Sequence, residues 1–343
     1  MKQETELETL GRQIVEESAF IDRAREVLST TIIGQSAVID KVIIALLANG
    51  HLLLEGVPGL AKTLIVRTFA AAMNLSFHRI QFTPDMLPAD LIGTMIYNPK
   101  TMEFHPRRGP VFANVILADE INRSPAKVQS ALLEAMQEKQ VTIGDVTYPL
   151  GEPFMVLATQ NPIEQEGTYA LPEAQVDRFM FKLLIEYPTP TEEHEILRRV
   201  ARTKPVTTVD PVATLDDILA MRQTLDAVHL DEKLEWYILR LVAATRNPAA
   251  CGLDDLAAFI RFGASPRASI YLALAARGHA LLRRRDYVVP DDVKAMLHDV
   301  VRHRIAISYR AEAEGLNSDT LLDRIVERVP VNERGAPDAA AVD

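Results

Sequence analysis

The sequence predicts an α/β fold: a phosphate-loop core with a parallel sheet flanked by helices, followed by a small all-helical lid domain. Three observations carry that prediction. Short apolar runs, Leu52–Leu54, Val115–Ala118 and Phe154–Ala158, alternate with stretches of helical periodicity, the rhythm of a buried parallel sheet. The first run leads straight into Gly56-Val57-Pro58-Gly59-Leu60-Ala61-Lys62-Thr63. After the proline-punctuated stretch Tyr187-Pro188-Thr189-Pro190-Thr191 the β signal fades and only helical patterns follow.

Taken in order, Thr5 to Leu28 reads as a helix whose apolar positions Leu7, Leu10, Ile14 and Ile21 are interleaved with charge. Ile33-Gly34-Gln35 interrupts it, and a second helix runs through Ile39, Ile44 and Leu47 to Asn49-Gly50. His51–Glu55 is the first buried strand, Lys62–Met73 a helix, and Phe77–Phe82 an alternating strand. Val115–Ala118 ends in two carboxylates. Ser124–Glu138 is a helix with Ser124-Pro125 as cap and first-turn proline, and Phe154–Ala158 and Phe179–Ile185 complete five strands. Gly93–Pro110 is turn-rich, and Val141–Pro153 reads as a hairpin through Gly144-Asp145; both interrupt the alternation as insertions. Helices are expected over Asp216–Ala227, Glu232–Thr245, Pro266–Arg284 and Asp291–Ser308. The expected organisation is a core over 1–187, a lid over 188–334 and a loose tail over 335–343.

The composition narrows the function classes. A chain of 343 residues with 48% hydrophobic content supports a real core, which excludes a mainly disordered protein. Lys and Arg number 37 against 47 Asp and Glu, a net charge of −10, which argues against non-specific nucleic-acid binding as the main activity. The single Cys251 can form no internal disulfide. The start, Met1 to Glu6, is polar and acidic with no apolar signal region, and no stretch approaches the ~18 apolar residues of a membrane span. A soluble, cytoplasmic protein is expected.

The chemistry concentrates in three places. A buried strand, a glycine-containing turn, Lys-Thr and a helix, in that order, cradle nucleotide phosphates. Backbone N–H groups face the phosphates, Lys62 reaches them, and the Thr63 hydroxyl suits Mg²⁺. The cradle runs from Gly56 to Leu64. Ala61 stands where the usual pattern has glycine; it keeps the N–H and adds one methyl. Asp119-Glu120 closes the second apolar run: Asp119 suits the Mg²⁺ shell, directly or through water, and Glu120 can orient or deprotonate an attacking water. Asn161, just past the strand Phe154–Ala158, can position that water, although Asn161-Pro162 is equally ordinary turn chemistry.

Together Gly56–Thr63, Leu117-Ala118-Asp119-Glu120-Ile121-Asn122-Arg123, Thr159-Gln160-Asn161-Pro162 and Leu171-Pro172-Glu173-Ala174-Gln175-Val176-Asp177-Arg178-Phe179 resemble the MoxR family of AAA+ ATPases, in the helix-2 insert clade. The likeness spans nearly the whole chain, from Ile33-Gly34-Gln35 to Ser265-Pro266-Arg267-Ala268. It implies ATP and Mg²⁺ as ligands. It also implies Asn161 as the sensor-1 residue, Arg178 as the arginine finger serving a neighbouring subunit, and Arg267 as sensor 2. Ile33, Gly34 and Gln35 would line the adenine pocket. The insertions at 93–110 and 141–153 resemble the helix-2 insert and the pre-sensor-1 hairpin. The family further implies a homo-oligomeric, hexameric ring that remodels client proteins, often metalloenzymes, with a von Willebrand factor A-domain partner.

Other readings stay open on the sequence: a metal-chelatase ATPase subunit, a DNA-associated motor or loader, and a slow nucleotide-dependent switch. Arg123 is a further interface candidate, and Arg107-Arg108 either face an axial channel or keep an insert soluble. Plainer roles fall to Arg283-Arg284-Arg285 as a helix C-terminal cation cluster and to Trp236, Tyr237 and Leu241 as lid core.

Overall fold

Two compact units account for the contacts of the chain in its computed structural model, which describes residues 14, 17–57, 59–161, 168–201 and 209–331. Phe20–Phe179 with Leu183–Ile218 forms the first unit. The described residues after Ile218, joined by Met180–Lys182 and the described residues up to Ala19, form the second. The residue 187 at which the core was expected to end therefore falls inside the first unit. Pro58, the beginning of the helix expected from Thr5, and the tail over 335–343 lie outside the described residues.

The first unit opens with α1 (Ala19–Thr31) and α2 (Ser36–Leu47). Phe20, Ile21, Ala24 and Leu28 give α1 one buried stripe, whereas α2 is buried at Val38, Ile39 and from Val42 to Leu47. Then follow β1 (Leu52–Glu55), α3 (Lys62–Ala72), β2 (Phe77–Gln81), α4 (Pro88–Ile92), β3 (Gly93–Asn98), β4 (Glu103–Arg108) and β5 (Val115–Asp119). α5 (Ala126–Glu138), β6 (Gln140–Ile143), β7 (Val146–Pro149), β8 (Met155–Gln160), α6 (Glu173–Val176), the second half of β9 (Phe181–Leu184) and α7 (Pro190–Val200) complete it.

The main sheet has the order β2-β5-β8-β1-β9. β1 pairs with β8, β8 with β5 and β5 with β2, all in parallel, with Leu52 opposite Leu157, Val115 opposite Met155 and Phe77 opposite Val115. The central strands are buried on both faces, which is why β1, β5 and β8 read as unbroken apolar runs and not as alternation. β2, at the sheet edge, alternates: Ile80 is buried while Arg79 and Gln81 share the exposed face. His51 pins the start of β1 against its neighbours. Its Nδ1 accepts the Val156 N–H at 3.0 Å and its Nε2 lies 3.2 Å from the Met136 carbonyl. Burial, reinforced by the Lys139 charge, lowers its pKa to about 3, so the ring is neutral and Nε2–H donates to Met136.

Both expected insertions are antiparallel hairpins. β3 pairs with β4, and β6 with β7. The first was legible only as turns, because most of β3 and all of β4 are exposed and no buried face imposes an apolar alternation. Its outer end carries Tyr97 against Phe104, ring centroids 5.2 Å apart. At its base the Arg108 guanidinium stacks over Phe112 and Tyr148, at 4.9 and 5.2 Å.

The second unit takes in most of α8 (Leu215–Ala227), then α9 (Glu232–Arg246), α10 (Asp254–Ala257), β10 (Ile260–Phe262), α11 (Pro266–Leu282), α12 (Pro290–Val301), β11 (Ala306–Ile307), α13 (Tyr309–Ala313) and α14 (Ser318–Arg328). Tyr237 and Leu241 are core here, while Trp236 is half-buried with its Nε1 donating to Glu232. The helix expected over Asp291–Ser308 stops at Val301. Arg302–Arg304 forms a 3-10 turn and β11 pairs with β10, Ile307 opposite Ile260, so tertiary pairing overrides the local helical pattern. Nor are the three arginines after α11 a plain cation cluster. Arg285 makes a two-pronged ion pair with Asp292, 2.6 and 2.8 Å, and Asp292 also accepts from His279 Nδ1 at 2.6 Å and the Val289 N–H at 2.8 Å. Burial of Asp292 alone would raise its pKa, but these donors outweigh that and hold it at about 2.

Candidate active site

In a parallel sheet all strands end on one edge, so the residues that follow β1, β2, β5 and β8 converge there. A cleft of about 460 Å³ opens at that edge, lined by Gly59–Leu64, Asp119, Glu120 and Asn161, together with Arg79, Gln81 and Thr159. The loop is shaped by two glycines with different reasons. Gly59 has φ +88°, which an L side chain rarely adopts, and a Cβ on Gly56 would lie 2.8 Å from the Ile185 carbonyl oxygen. Ala61, at the N-cap of α3, is itself left-handed with φ 54° and ψ 20°. That conformation costs an L residue roughly 1–2 kcal/mol, so the added methyl carries backbone strain besides volume. No side chain caps α3, so its first-turn N–H groups point into the cleft mouth for an anion.

Lys62 donates from Nζ to the Gly56 carbonyl. Burial lowers its pKa, and the charges of Asp119, Glu120 and Glu55 oppose that shift. Asp119, 14% exposed, accepts on Oδ1 from the Thr159 hydroxyl at 2.6 Å, and that hydroxyl accepts the Glu120 N–H at 2.8 Å. Glu120 is left-handed as well, φ 57° and ψ 50°, which turns its carboxylate off the strand line. Its Oε2 accepts from Gln81 Nε2 at 2.7 Å and lies 3.2 Å from Arg123 Nε. Thr63 and Asp119 are hard oxygen donors on one cleft. Mg²⁺ is characteristically held by one or two such side chains plus phosphate oxygens, so the donor set fits that ion.

A second pocket of about 550 Å³ shares Gly59, Leu60, Ala61 and Leu64 with the cleft and is mainly apolar. Ile33 and Gln35 line it, with Ile32, Pro188 and Ile196. Gly34 instead lines a neighbouring pocket with Arg25 and Asp40. Gly56 and Val57 line neither the cleft nor the apolar pocket. An apolar slot opening into an anion cradle has the layout of a nucleotide site, base and then phosphates.

Arg178 does not line the cleft of its own chain. It donates from Nη1 to the Leu133 carbonyl at 2.9 Å and lines a separate polar cavity of about 560 Å³ with Ser130, Glu134 and Gln175. Arg267 stands in the first turn of α11, in the other unit, its N–H on the Ser265 hydroxyl that caps the helix. Sequence reasoning missed Arg79, Gln81 and Thr159. The period-2 pattern His78-Arg79-Ile80-Gln81 was the available signal, since it places the two polar side chains together on one face of β2.

Two family descriptions match the chain: an ATPase family associated with various cellular activities (AAA), over residues 51–181, and an AAA lid domain, over residues 255–325. The chain is 47% identical over 316 residues to chaperone MoxR1 of Mycobacterium tuberculosis, covering 92% of this chain and 83% of that one. It is 33% identical over 328 residues to protein MoxR of Paracoccus denitrificans, covering 90% and 95%. A crystal structure from Cytophaga hutchinsonii superposes with a TM-score of 0.90 at 50% identity, covering 96% of this chain and 99% of the other.

Proposed function

The chain belongs to the MoxR family of AAA+ ATPases and hydrolyses ATP, and from that premise we propose that it is a ring-forming, chaperone-like remodeller whose active sites are completed between copies. One observation carries the shared site. Lys62, Thr63, Asp119, Glu120 and Asn161 line a single cleft, and Arg178 lines a different cavity. Arg178, away from its own cleft, would then serve the cleft of a neighbouring copy, as arginine fingers do.

In this reading Lys62 and the α3 amides hold the phosphates, and Ile33 and Gln35 flank the base. Thr63 and Asp119 would hold Mg²⁺, which neutralises phosphate charge when bound. Glu120 accepts a proton from the attacking water, and Asn161 orients it. Arg267 senses the γ-phosphate from the helical unit. The ring is proposed to be hexameric and cytoplasmic, to act with a von Willebrand factor A-domain partner, and to remodel client proteins such as metalloenzymes. The net charge of −10 supports protein clients over nucleic acid, and among the described residues no helix is long and apolar enough to cross a membrane.

Mixed-ring complementation tests the shared site. Arg178→Ala and Glu120→Gln proteins are each expected to hydrolyse ATP poorly, whereas mixtures regain activity at interfaces that pair an intact Glu120 with an intact Arg178. Mixtures no more active than either variant alone would remove Arg178 from the neighbour's site.

A further inference from the structure

Arg79 is the residue at the cleft for which the reading above has no use, and its geometry is specific. It sits on β2 with Leu117 of β5 as its ladder partner, so the sheet needs no side-chain strut there. Both its Nε and its Nη2 donate to the same oxygen of Asp119, Oδ2, at 3.0 and 2.6 Å. The two donors lie on one edge of the guanidinium, so Arg79 covers one side of that oxygen with a pair of charge-assisted bonds. The other oxygen, Oδ1, takes the Thr159 hydroxyl. Asp119, one of the two side chains that would hold a divalent cation, is thus already paired with a monovalent one.

The same Arg79 Nη2 donates to Gln81 Oε1 at 2.8 Å, and Gln81 Nε2 donates to Glu120 Oε2 at 2.7 Å. A cation on the carbonyl side of an amide strengthens donation from its nitrogen side, so four side chains form one polarised chain, Asp119-Arg79-Gln81-Glu120. Arg79 is 49% exposed, which keeps its ion pair weak enough to be exchanged.

We propose that Arg79 is a placeholder cation at Asp119, a positioning residue that must leave Asp119 when a divalent cation is held there. The proposal rests on the reading of the cleft as a Mg·ATP site. Before the metal binds, Arg79 neutralises Asp119; the metal and the guanidinium then compete for one carboxylate.

Mn²⁺, followed by electron paramagnetic resonance as a stand-in for Mg²⁺, is titrated into full-length protein saturated with ADP, for wild type, Arg79→Gln and Arg79→Lys. Removing a half-exposed competitor should tighten Mn²⁺ binding about three- to fivefold in Arg79→Gln, with Arg79→Lys between the two. A generic loss of folding weakens binding, so the expected change has the opposite sign to damage. Unchanged or weaker Mn²⁺ affinity in an Arg79→Gln protein that melts like wild type overturns the proposal. If Arg79→Gln fails to fold, Arg79→Lys decides by the same criterion. A wild-type protein that binds no fluorescent ADP at all fails the nucleotide reading itself, which is a distinct result from an unmoved metal titration.

Discussion

Glu120 holds its carboxylate in the cleft from a left-handed backbone, φ 57° and ψ 50°, so it should be a residue whose function is bought against stability. Replacing it by Ala and by Gly separates the two effects. Both changes remove the carboxylate, with its bond to Gln81 and its ion pair to Arg123, so those losses cancel in the comparison. What differs is the backbone. Ala keeps the left-handed penalty of roughly 1–2 kcal/mol, and Gly escapes it at an extra unfolded-state entropy cost of about 0.5–1 kcal/mol. Glu120→Gly should therefore be more stable than Glu120→Ala by about 1 kcal/mol, read by urea unfolding or as a melting temperature about 2 °C higher. Both should lose ATP turnover by about 10²–10⁴-fold, the usual contribution of a general base, while still binding ATP. A Glu120→Ala protein as stable as the Gly variant would show that the backbone there is unstrained. Normal turnover in either would take Glu120 out of the chemistry.

Two further outcomes follow from the site and from the helical unit. Lys62→Ala should lose most of its ATP affinity in a fluorescent-nucleotide titration with its melting curve intact; undiminished binding would contradict the phosphate-loop assignment. The folded-state pKa of Asp292 lies below its unfolded value, so its stabilisation is present above pH 3.8 and is lost as pH falls toward 2, a contribution of roughly 2 kcal/mol from a shift of 3.8 to about 2. Asp292→Asn should flatten that acid limb in denaturant melts between pH 5 and 2, and an unchanged limb would mean that other carboxylates set it.

How much of this was legible depended on burial. The central strands announced themselves because burial on both faces leaves only apolar residues, as in Leu52–Leu54 and Val115–Ala118. The loop and the two acids were equally readable, since phosphate binding restricts residue type at fixed spacing. Ile33 and Gln35 line the apolar pocket, while Gly34 lines the next one. Strands β3 and β4 were hidden because nothing buries them, and β11 because a two-residue ladder cannot outvote a helical pattern locally. Arg79 and Gln81 escaped for another reason. Their importance lies in partners about 40 residues away, Asp119 and Glu120, and only strand adjacency brings them together. The strain at Ala61 and Glu120 has no compositional trace at all, because both residues are ordinary until their φ is known.

The insert hairpin shows what it takes to display a bare strand safely. β4 presents every one of its six residues to solvent, and an outer strand of that kind invites a second molecule to dock edge to edge and seed a fibre. Pro106 in its middle has no N–H to offer such a visitor, and a parallel in-register pairing would set Arg107 and Arg108 against their like-charged twins. Tyr97, Phe104 and Met102 can thus remain at the surface while this strand offers other copies no ready ladder.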